Sequence, residues 1–505
     1  MIWAEFQKQR PSLEAIIRFY APPFLATYLV TLIAYSYFFT HIGFTNHTLP
    51  HVLVYSYPSF KTWLEGRWFA DLIIQATGGN GAATFQMAIA AGIQIVNAFL
   101  FAAIFRVADR PTIFVISLFM ALHPAFLDYY SFSIDHISFT LGDCMVLCGV
   151  LAMDRGTTAR VRWLLPIALF VLALATYQPK IALIATMLIA WSLTASVGTI
   201  YERIARSGGV ISASVAIYFV TSLLVVQHTG HERQNISDLG QVIAGVRQSY
   251  GAVFSLLATR VDYLPSLIRY LPAIFIAAGL IAVLIRSRRN GWQVLLASIA
   301  LLGALPPALQ LTFIVNIETF PDWGRILFVH AYFLSFIFVT LISFKSARAP
   351  AYAAYLVMIG FFAVIAVQES NASAVREIFN RAKINRVVAR VENAVQDLGG
   401  KRYPLVVIGN LTLEPGGKLT RFPNAIYRSF TRTEPFINFR HIEVFNFFAG
   451  RASVVMPTVD QVKIASEEAR NRRPWPSSES VFQKDGIIVV VLAPYTGSVG
   501  ITTPQ

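Results

Sequence analysis

Charged residues are scarce in this chain. Of its 505 residues, 13% are charged and 55% are hydrophobic, whereas a soluble globular domain carries about 25% charged residues. So few charges cannot cover a water-exposed surface of this size, and most of the chain must therefore be surrounded by lipid. The composition excludes a wholly soluble protein and predicts one that crosses a bilayer several times.

Cysteine is nearly absent as well. The two cysteines of the chain, Cys144 and Cys148, lie in one apolar stretch, and so small a number excludes a disulfide framework. Their spacing places them on one helix face, but no histidine or carboxylate completes a set of metal ligands there. We interpret both as small packing residues.

Signatures of nucleotide and nucleic-acid binding are missing too. The chain has no glycine-rich phosphate loop and no DxD motif, so nothing in it indicates a nucleotide-sugar site. Its net charge of +14 does not indicate nucleic-acid binding, because the basic residues lie in short loops between apolar stretches. They form no cluster interleaved with aromatic residues on a polar surface.

About eleven apolar stretches are long enough to cross a membrane as helices. They cover residues 20–40, 84–105, 111–127, 137–153, 162–177, 180–199, 208–227, 269–285, 292–314, 326–344 and 351–368. The third and the fifth are short, so we expect them to be tilted, broken or partly re-entrant. The pattern predicts an α-helical polytopic membrane domain over residues 1–368.

Basic residues between the stretches set the orientation. If the N-terminus is inside, every inside segment is basic, including those that hold Arg106, Arg155 and Arg286. By the positive-inside rule, the N-terminus lies in the cytoplasm, and we expect a multi-pass protein of an inner membrane. Eleven crossings place the C-terminus in the periplasm, whereas an even number would place it in the cytoplasm.

The last part of the chain, residues 369–505, is charged and rich in turns. Residues 404–413 and 486–493 have the pattern of buried strands, and residues 459–472 have that of a helix. A segment of this length can bury a core of its own. We predict a small periplasmic α/β domain, joined to the last transmembrane helix by an amphipathic helix over residues 369–398.

Charged residues in the outside loops are candidates for chemistry. In the first outside loop, Glu65, Arg67 and Asp71 lie on an amphipathic stretch, for which anchoring at the membrane surface is an equal alternative. The second outside loop holds Asp128 and Asp135, and Asp143 follows in the next span. Because acids are costly in hydrocarbon, this cluster favours a functional site. The alternative is a buried aspartate paired with an arginine of another helix for packing.

Two further loops supply polar groups. Gln178 and Lys180 follow the fifth span, where Lys180 either meets a phosphate, pairs with the aspartates or snorkels to the membrane surface. Asp322 and Arg325 precede the tenth span. An arginine at the outside start of a helix breaks the charge rule, which favours a role in binding an oxyanion such as a phosphate.

Four stretches of the chain resemble the GtrII family of bacterial integral-membrane glucosyltransferases, which modify O-antigen of lipopolysaccharide or a similar surface polysaccharide. They are LEGRWFAD at 64–71, HPAFLDYYSFSIDHIS at 123–138, YQPK at 177–180 and the closing segment 456–494 with its proline–tryptophan turn. The resemblance implies a GT-C-type fold. It also implies transfer of a hexose, glucose by the family's name, from a polyprenyl-phosphate donor to a polysaccharide on the periplasmic face.

The sequence departs from this family at one point. Members usually carry an acidic pair soon after the first span, where this chain has FTNHTLPH at residues 44–51. Three explanations stay open: the catalytic base lies elsewhere, His47 replaces it, or the activity differs.

The implied reaction assigns a role to each candidate. A base must take the proton of the acceptor hydroxyl, and fixed cations must stabilise the departing lipid phosphate. The base candidates are Asp128, Asp135 and Glu65, and the candidates for binding the sugar phosphate are Arg67, Asp71, Lys180, Gln178, Arg325 and Asp322. No cofactor is implied with certainty, and a divalent metal is left open.

We expect five of these groups to converge on one outside-facing cavity, because charges near hydrocarbon persist only where they pair or meet water or a ligand. They are Asp128, Asp135, Glu65, Lys180 and Arg325. Two other functions share these features: a transporter or flippase of a lipid-linked sugar, and a non-catalytic membrane assembly protein. Against a transporter, the sequence shows no inverted repeat.

Overall fold

The computed structural model of the chain describes residues 13–40, 66–77, 83–131, 135–226, 239–258, 270–315, 328–395, 402–409, 441–450 and 453–494. These residues fall into two compact units. The first unit ends at Ser370, and the second begins at Asn371.

Helices form the first unit, because apolar chain in lipid must satisfy its backbone hydrogen bonds internally. In chain order they are α1 (Leu13–Ala34), α2 (Ser36–Thr40), α3 (Trp68–Ala76), α4 (Ala83–Ile104), α5 (Arg110–Leu122), α6 (Leu127–Ser131), α7 (His136–Arg155), α8 (Ala159–Thr176), α9 (Lys180–Ser192), α10 (Ile200–Val225), α11 (Leu239–Ala258), α12 (Leu271–Arg289), α13 (Trp292–Leu309), α14 (Leu311–Val315), α15 (Val329–Ile342) and α16 (Lys345–Val395), of which α16 continues into the second unit.

Within the described residues, eight helices are long and apolar enough to cross a membrane: α1, α4, α7, α8, α10, α12, α13 and the first part of α16. The apolar helices α5, α9 and α15 are shorter. The prediction of a helical, multi-pass membrane protein is confirmed, and the number of eleven crossings stays a prediction. Residues 162–176 lie in α8, which continues unbroken through Pro166, as membrane helices allow. Of the three expected alternatives for this stretch, a break is therefore excluded, and the other two stay predictions.

Local signals fix where the central helices begin and end. The Asp109 carboxylate accepts the backbone N–H of Thr112 at 3.0 Å at the start of α5, and Thr158 caps α8 in the same way. These side chains satisfy N–H groups that the first helical turn leaves without partners. Because each cap directly follows a short basic loop, α4–α5 and α7–α8 form tight antiparallel hairpins.

The end of α4 has an unusual residue. The N–H of Val107 donates to the Ala102 carbonyl at 2.9 Å, and the N–H of Arg106 donates to the Ala103 carbonyl at 3.2 Å. This is the Schellman pattern, whose left-handed position glycine usually occupies. Arg106 occupies it here with φ 58°. Any residue other than glycine adopts this left-handed conformation at some cost in backbone energy.

Helix α7 is the central element of the first unit and packs against α4, α8 and α9. Two glycines permit the close approach. A Cβ at Gly149 would overlap the Phe170 ring of α8, and a Cβ at Gly142 would lie 2.5 Å from Thr176 Oγ1. On the other side, Asn97 of α4 donates to the Thr140 carbonyl at 3.0 Å. The first turns of α7 are thus enclosed by polar as well as apolar contacts.

The second unit is a small three-layer α/β structure. Strands β1 (Tyr403–Ile408), β2 (Val454–Val455), β3 (Val481–Lys484) and β4 (Ile487–Val491) form a sheet in the order β2-β1-β4-β3. Strand β1 is parallel to β2 and β4, and β3 pairs antiparallel with β4. Helices α17 (His441–Phe448) and α18 (Val459–Ala469) complete the unit together with the end of α16.

Alternation along β1 and β4 builds a core on each face of this sheet. On one face, Leu405 and Ile488 pack against Val387 and Val391 of α16. On the other face, alternate strand residues such as Val489 pack against α18. The proline–tryptophan turn is fixed to this sheet, because the Trp475 N–H donates to the Val491 carbonyl at 2.8 Å.

The sequence-based assignments in this region are confirmed in part. The expected strand 404–413 overlaps β1, the strand 486–493 contains β4, and residues 459–472 contain α18; residues 410–413 lie outside the described residues. Residues 369–395 are helical as expected of the linking helix, and they continue the last apolar helix in α16, which runs without interruption for 51 residues; residues 396–398 lie outside the described residues. The short strands β2 and β3 were missed. The division at residue 368 and the periplasmic location of this unit stay predictions.

The orientation can be tested at two points of the chain. A reporter that is active only in the periplasm is expected to be active when fused after Gln505, since an odd number of crossings carries the C-terminus outside. The same reporter fused after Gly156, in the basic loop between α7 and α8, is the matched control and should be inactive. Activity of a cytoplasm-only reporter after Gln505 would mean that the number of crossings is even.

Candidate active site

A buried ion pair joins α7 and α9. Lys180, the first residue of α9, donates from Nζ to Asp143 Oδ1 at 2.5 Å and to the Tyr129 hydroxyl at 2.8 Å. The side chains of Lys180 and Asp143 are fully buried. Because Asp143 lies two turns into α7, the pair ties the start of α9 to the early turns of α7.

Aromatic rings surround the ammonium group. Lys180 Nζ lies 4.1 Å from the Phe328 ring centroid, 5.0 Å from that of Tyr129 and 5.8 Å from that of Tyr177. A buried ion pair is tolerated only where hydrogen bonds and ring faces replace the lost water, and this enclosure supplies both.

The approach of Lys180 to Asp143 depends on Gly142. A Cβ there would lie 2.5 Å from Thr176 Oγ1 and 3.0 Å from Lys180 Cε. Both separations are shorter than an ordinary van der Waals contact. Any larger residue at this position would push the end of α8 or the lysine side chain away from α7.

A second cation lies beside this network. Arg67, immediately before α3, donates from Nε to Gln178 Oε1 at 2.6 Å, and its guanidinium lies 4.9 Å from the Tyr177 ring centroid. Tyr177 therefore faces Arg67 as well as Lys180. The half-buried guanidinium is held in one orientation by an amide and a ring face. An arginine oriented in this way is suited to bind a carboxylate or a phosphate.

Two predicted acids lie close to this region in the chain. Asp71, in the first turn of α3, is 3% exposed, and Asp135, directly before α7, is 8% exposed. Asp135 does not cap α7 with its side chain. Asp128 lies on α6, and its side chain is outside the described residues.

Three predicted site residues, Glu65, Asp322 and Arg325, lie outside the described residues, and so does His47. Among the described candidates, the structure brings together Arg67, Gln178 and Lys180 around Tyr177. Convergence of the five groups Asp128, Asp135, Glu65, Lys180 and Arg325 on one cavity stays a prediction.

The expectation that Lys180 could snorkel to the membrane surface was wrong. Its side chain is 0% exposed and uses two of the three donors of its ammonium on Asp143 and Tyr129. Of the alternatives for Lys180, the structure shows pairing with an aspartate, Asp143. This aspartate is paired with a lysine of another helix and not with an arginine, as we had expected for a packing role. Burial and pairing give Lys180 a positioning role, and its contact with phosphate stays a prediction.

Sequence reasoning missed the polar residues inside the spans. Gln94 and Asn97 lie buried on α4, where Asn97 donates to Gln94 Oε1 at 3.4 Å. The signal was present, since amides in an apolar stretch are costly and usually line a bundle interior. Candidates chosen from the loops alone do not include these amides.

The described part of the chain offers no group of three His, Cys, Asp or Glu side chains arranged to hold a metal ion. Cys144 and Cys148 are half-buried free thiols on α7. Nothing in their surroundings changes the interpretation of both as packing residues.

Comparison with known proteins gives one result. A family model described as glucosyl transferase GtrII matches residues 53–365. No curated protein and no solved structure matches the chain. The matched range contains every residue of the network around Lys180 and Tyr177.

The buried pair makes a stability prediction. Lys180→Met leaves the Asp143 carboxylate buried without its cation, and loss of one partner of such a pair costs about 3–5 kcal/mol. The double variant Asp143→Asn, Lys180→Met removes both charges and is expected to recover most of this loss. Thermal unfolding of the purified full chain in detergent measures both effects.

The matched control is Lys463→Met, which removes an exposed lysine paired with Asp460 at 3.5 Å on α18. Exposed pairs contribute about 0–1 kcal/mol, so its unfolding temperature should stay close to that of the unmodified protein. A Lys180→Met variant as stable as this control would show that the ion pair does not hold α7 and α9 together.

Proposed function

Because the chain belongs to the GtrII glucosyltransferase family, we propose that it transfers a hexose from a polyprenyl-phosphate-linked donor to a cell-surface polysaccharide such as O-antigen, on the periplasmic face of the inner membrane. As a member of this family the protein is a glycosyltransferase, and its apolar helices make it a multi-pass membrane protein. The family match over residues 53–365 carries the proposal. The donor, acceptor and membrane face are its finer parts.

A lipid-linked donor suits this chain for two physical reasons. The sequence has no glycine-rich phosphate loop and no DxD motif, which leaves a nucleotide-sugar donor without the usual means of binding. Helices with large exposed apolar side chains, such as Phe219, Val220 and Leu224 of α10, offer a polyprenyl chain the same surface that they offer to lipid tails.

In the proposed reaction, a base takes the proton from an acceptor hydroxyl, and the acceptor oxygen forms a bond to the anomeric carbon of the sugar. The bond between that carbon and the phosphate oxygen of the donor breaks at the same time. The lipid phosphate leaves as a monoester with one more negative charge than the diester had. Fixed cations that meet this growing charge lower the barrier.

Arg67 is the described cation best suited to this task. Gln178 and Tyr177 fix its orientation, so little ordering is left to be done when the phosphate binds. We assign Lys180 to hold α7 and α9 in register through Asp143, with Arg325 as a second phosphate ligand. Asp71 and Asp322 would balance these cations or bind sugar hydroxyls.

Asp135 is our choice for the base, ahead of Asp128 and Glu65. It lies directly before the N-terminus of α7, the helix that carries Asp143 of the ion pair. It is mostly buried, and its side chain does not cap that helix. A buried carboxylate at the start of this helix fits a site where charge persists only beside a partner, water or a ligand. This assignment explains how the chain acts without the early acidic pair.

The role of Asp135 predicts a large kinetic effect. Asp135→Asn keeps the size of the side chain but cannot accept the proton, so turnover should fall roughly a hundredfold or more. The measurement is transfer of labelled hexose to surface polysaccharide by membranes that contain equal amounts of folded protein. The control is Asp460→Asn on the surface of α18, which should keep full activity. Undiminished transfer by Asp135→Asn would remove this residue from the mechanism.

The donor class makes a separate prediction. Purified protein in lipid vesicles should transfer glucose from polyprenyl-phosphate glucose and not from a nucleotide-activated glucose added without lipid carrier. In cells, mass analysis of the surface polysaccharide should show a hexose substituent that disappears when the protein is deleted. Transfer from the nucleotide sugar alone would overturn the donor assignment, and an unchanged polysaccharide would overturn the acceptor assignment.

A further inference from the structure

A second charged cluster lies at the opposite ends of α7 and α9. Asp154 follows Asp143 by eleven residues on α7, which places it about 16 Å further along the helix axis. Its Oδ1 accepts from Trp191 Nε1 of α9 at 3.0 Å and from Arg203 of α10 at 3.3 Å. Arg106 Nη2 lies 3.6 Å from its Oδ2. This cluster is remote from Arg67 and takes no part in the proposed transfer.

Asp154, Arg203 and Arg106 line a cavity of about 170 Å³. Three guanidinium groups border it, those of Arg106, Arg203 and Arg286, together with the single carboxylate of Asp154 and the Thr194 side chain. The lining therefore carries two positive charges more than negative ones. The volume is sufficient for a small anion of the size of a phosphate group.

Arg286 is the cation of this lining that has no acidic partner among the described residues. Arg203 shares Asp154 with Trp191 and also donates to Thr194 Oγ1 at 3.0 Å. Within the part of the chain that the structure describes, the Arg286 guanidinium has no hydrogen bond or ion pair, although the residue is half-buried. A partly buried cation without a counter-charge is costly next to hydrocarbon, and an anion in the cavity removes that cost.

The backbone of Arg106 is a second, independent sign. Its left-handed conformation at the end of α4 is one that glycine adopts without strain. An arginine at this position brings a guanidinium to the cavity at the expense of local backbone energy. Strain of this kind is often kept where a side chain has a task.

We propose that this cavity binds a phosphate group, either the headgroup of an anionic phospholipid or a free phosphate. The doubly positive excess of the lining matches the charge of a phosphate monoester, about −1.5 to −2 at neutral pH. Planar guanidinium groups are suited to phosphate oxygens, which they can bind with two parallel hydrogen bonds. The proposal does not depend on the transfer reaction.

The test uses the purified full chain in nanodiscs of zwitterionic phosphatidylcholine. Inorganic phosphate and short-chain phosphatidate are titrated separately, and binding is followed by calorimetry and by the rise in unfolding temperature. Arg286→Gln and Arg106→Gly are each expected to weaken binding at least about tenfold, the effect of losing one charge-assisted hydrogen bond. Arg106→Gly relieves the backbone at this position, so weaker binding would not reflect misfolding.

The matched control is Arg288→Gln. Arg288 is exposed at the same end of α12, its guanidinium lies 5.1 Å from the Trp292 ring centroid, and it does not line the cavity. The Arg288→Gln variant should therefore bind both probes with the affinity of the unmodified protein. Equal affinity for both probes identifies a free phosphate group as sufficient, and phosphatidate at least tenfold tighter identifies a lipid headgroup. If neither probe binds, or if Arg286→Gln and Arg106→Gly bind as well as Arg288→Gln, the proposal is overturned.

Discussion

The contact between Lys180 and Asp143 holds the central helices of the membrane unit in register. Its ions are completely buried, so either residue alone would be among the most costly groups in the chain. Everything near the pair follows from that cost. Gly142 makes room for the lysine, the Tyr129 hydroxyl accepts a second hydrogen bond from the ammonium, and aromatic rings close the space where water would otherwise lie. The same packing places the Tyr177 ring against Arg67. The position of Arg67, the candidate phosphate ligand, therefore depends on the ion pair.

The ends of α7 explain how one helix serves two charged regions. Asp143 meets the start of α9 through Lys180, and Asp154 meets the end of α9 through Trp191. The two helices therefore run in the same direction, with α8 returning between them. Separation of the charges by about three turns leaves apolar residues such as Val146, Leu147 and Val150 between them. Each region can then have its own net charge with little influence from the other.

The sequence was sufficient for the helices and the class of fold, because apolar runs of fixed length have few alternatives in lipid. The strands β1 and β4 were equally visible, since their unbroken apolar runs fit only a buried sheet. The ion pair could not be predicted, because the sequence shows that Asp143 needs a partner but not which of several basic residues reaches it. That choice depends on how closely α7 and α8 pack, and hence on Gly142, whose importance no pattern in the chain indicates. Arg106 was recognised only as one more basic residue of an inside loop, since its cavity is lined by residues of five helices that are distant in sequence.

Attachment of α7 to α9 at both ends also bears on the choice between a transferase and a transporter. A transporter changes access by rocking or sliding one group of helices against another. Sliding α9 along α7 would separate Lys180 from Asp143 within the protein interior and leave two buried charges without partners. A transferase has the opposite requirement, because in-line displacement at the anomeric carbon needs the base and the phosphate ligands to keep fixed positions. A helix pair that cannot shift without breaking a buried ion pair meets this requirement, and it supports the transferase over the transporter on physical grounds that are independent of the family match.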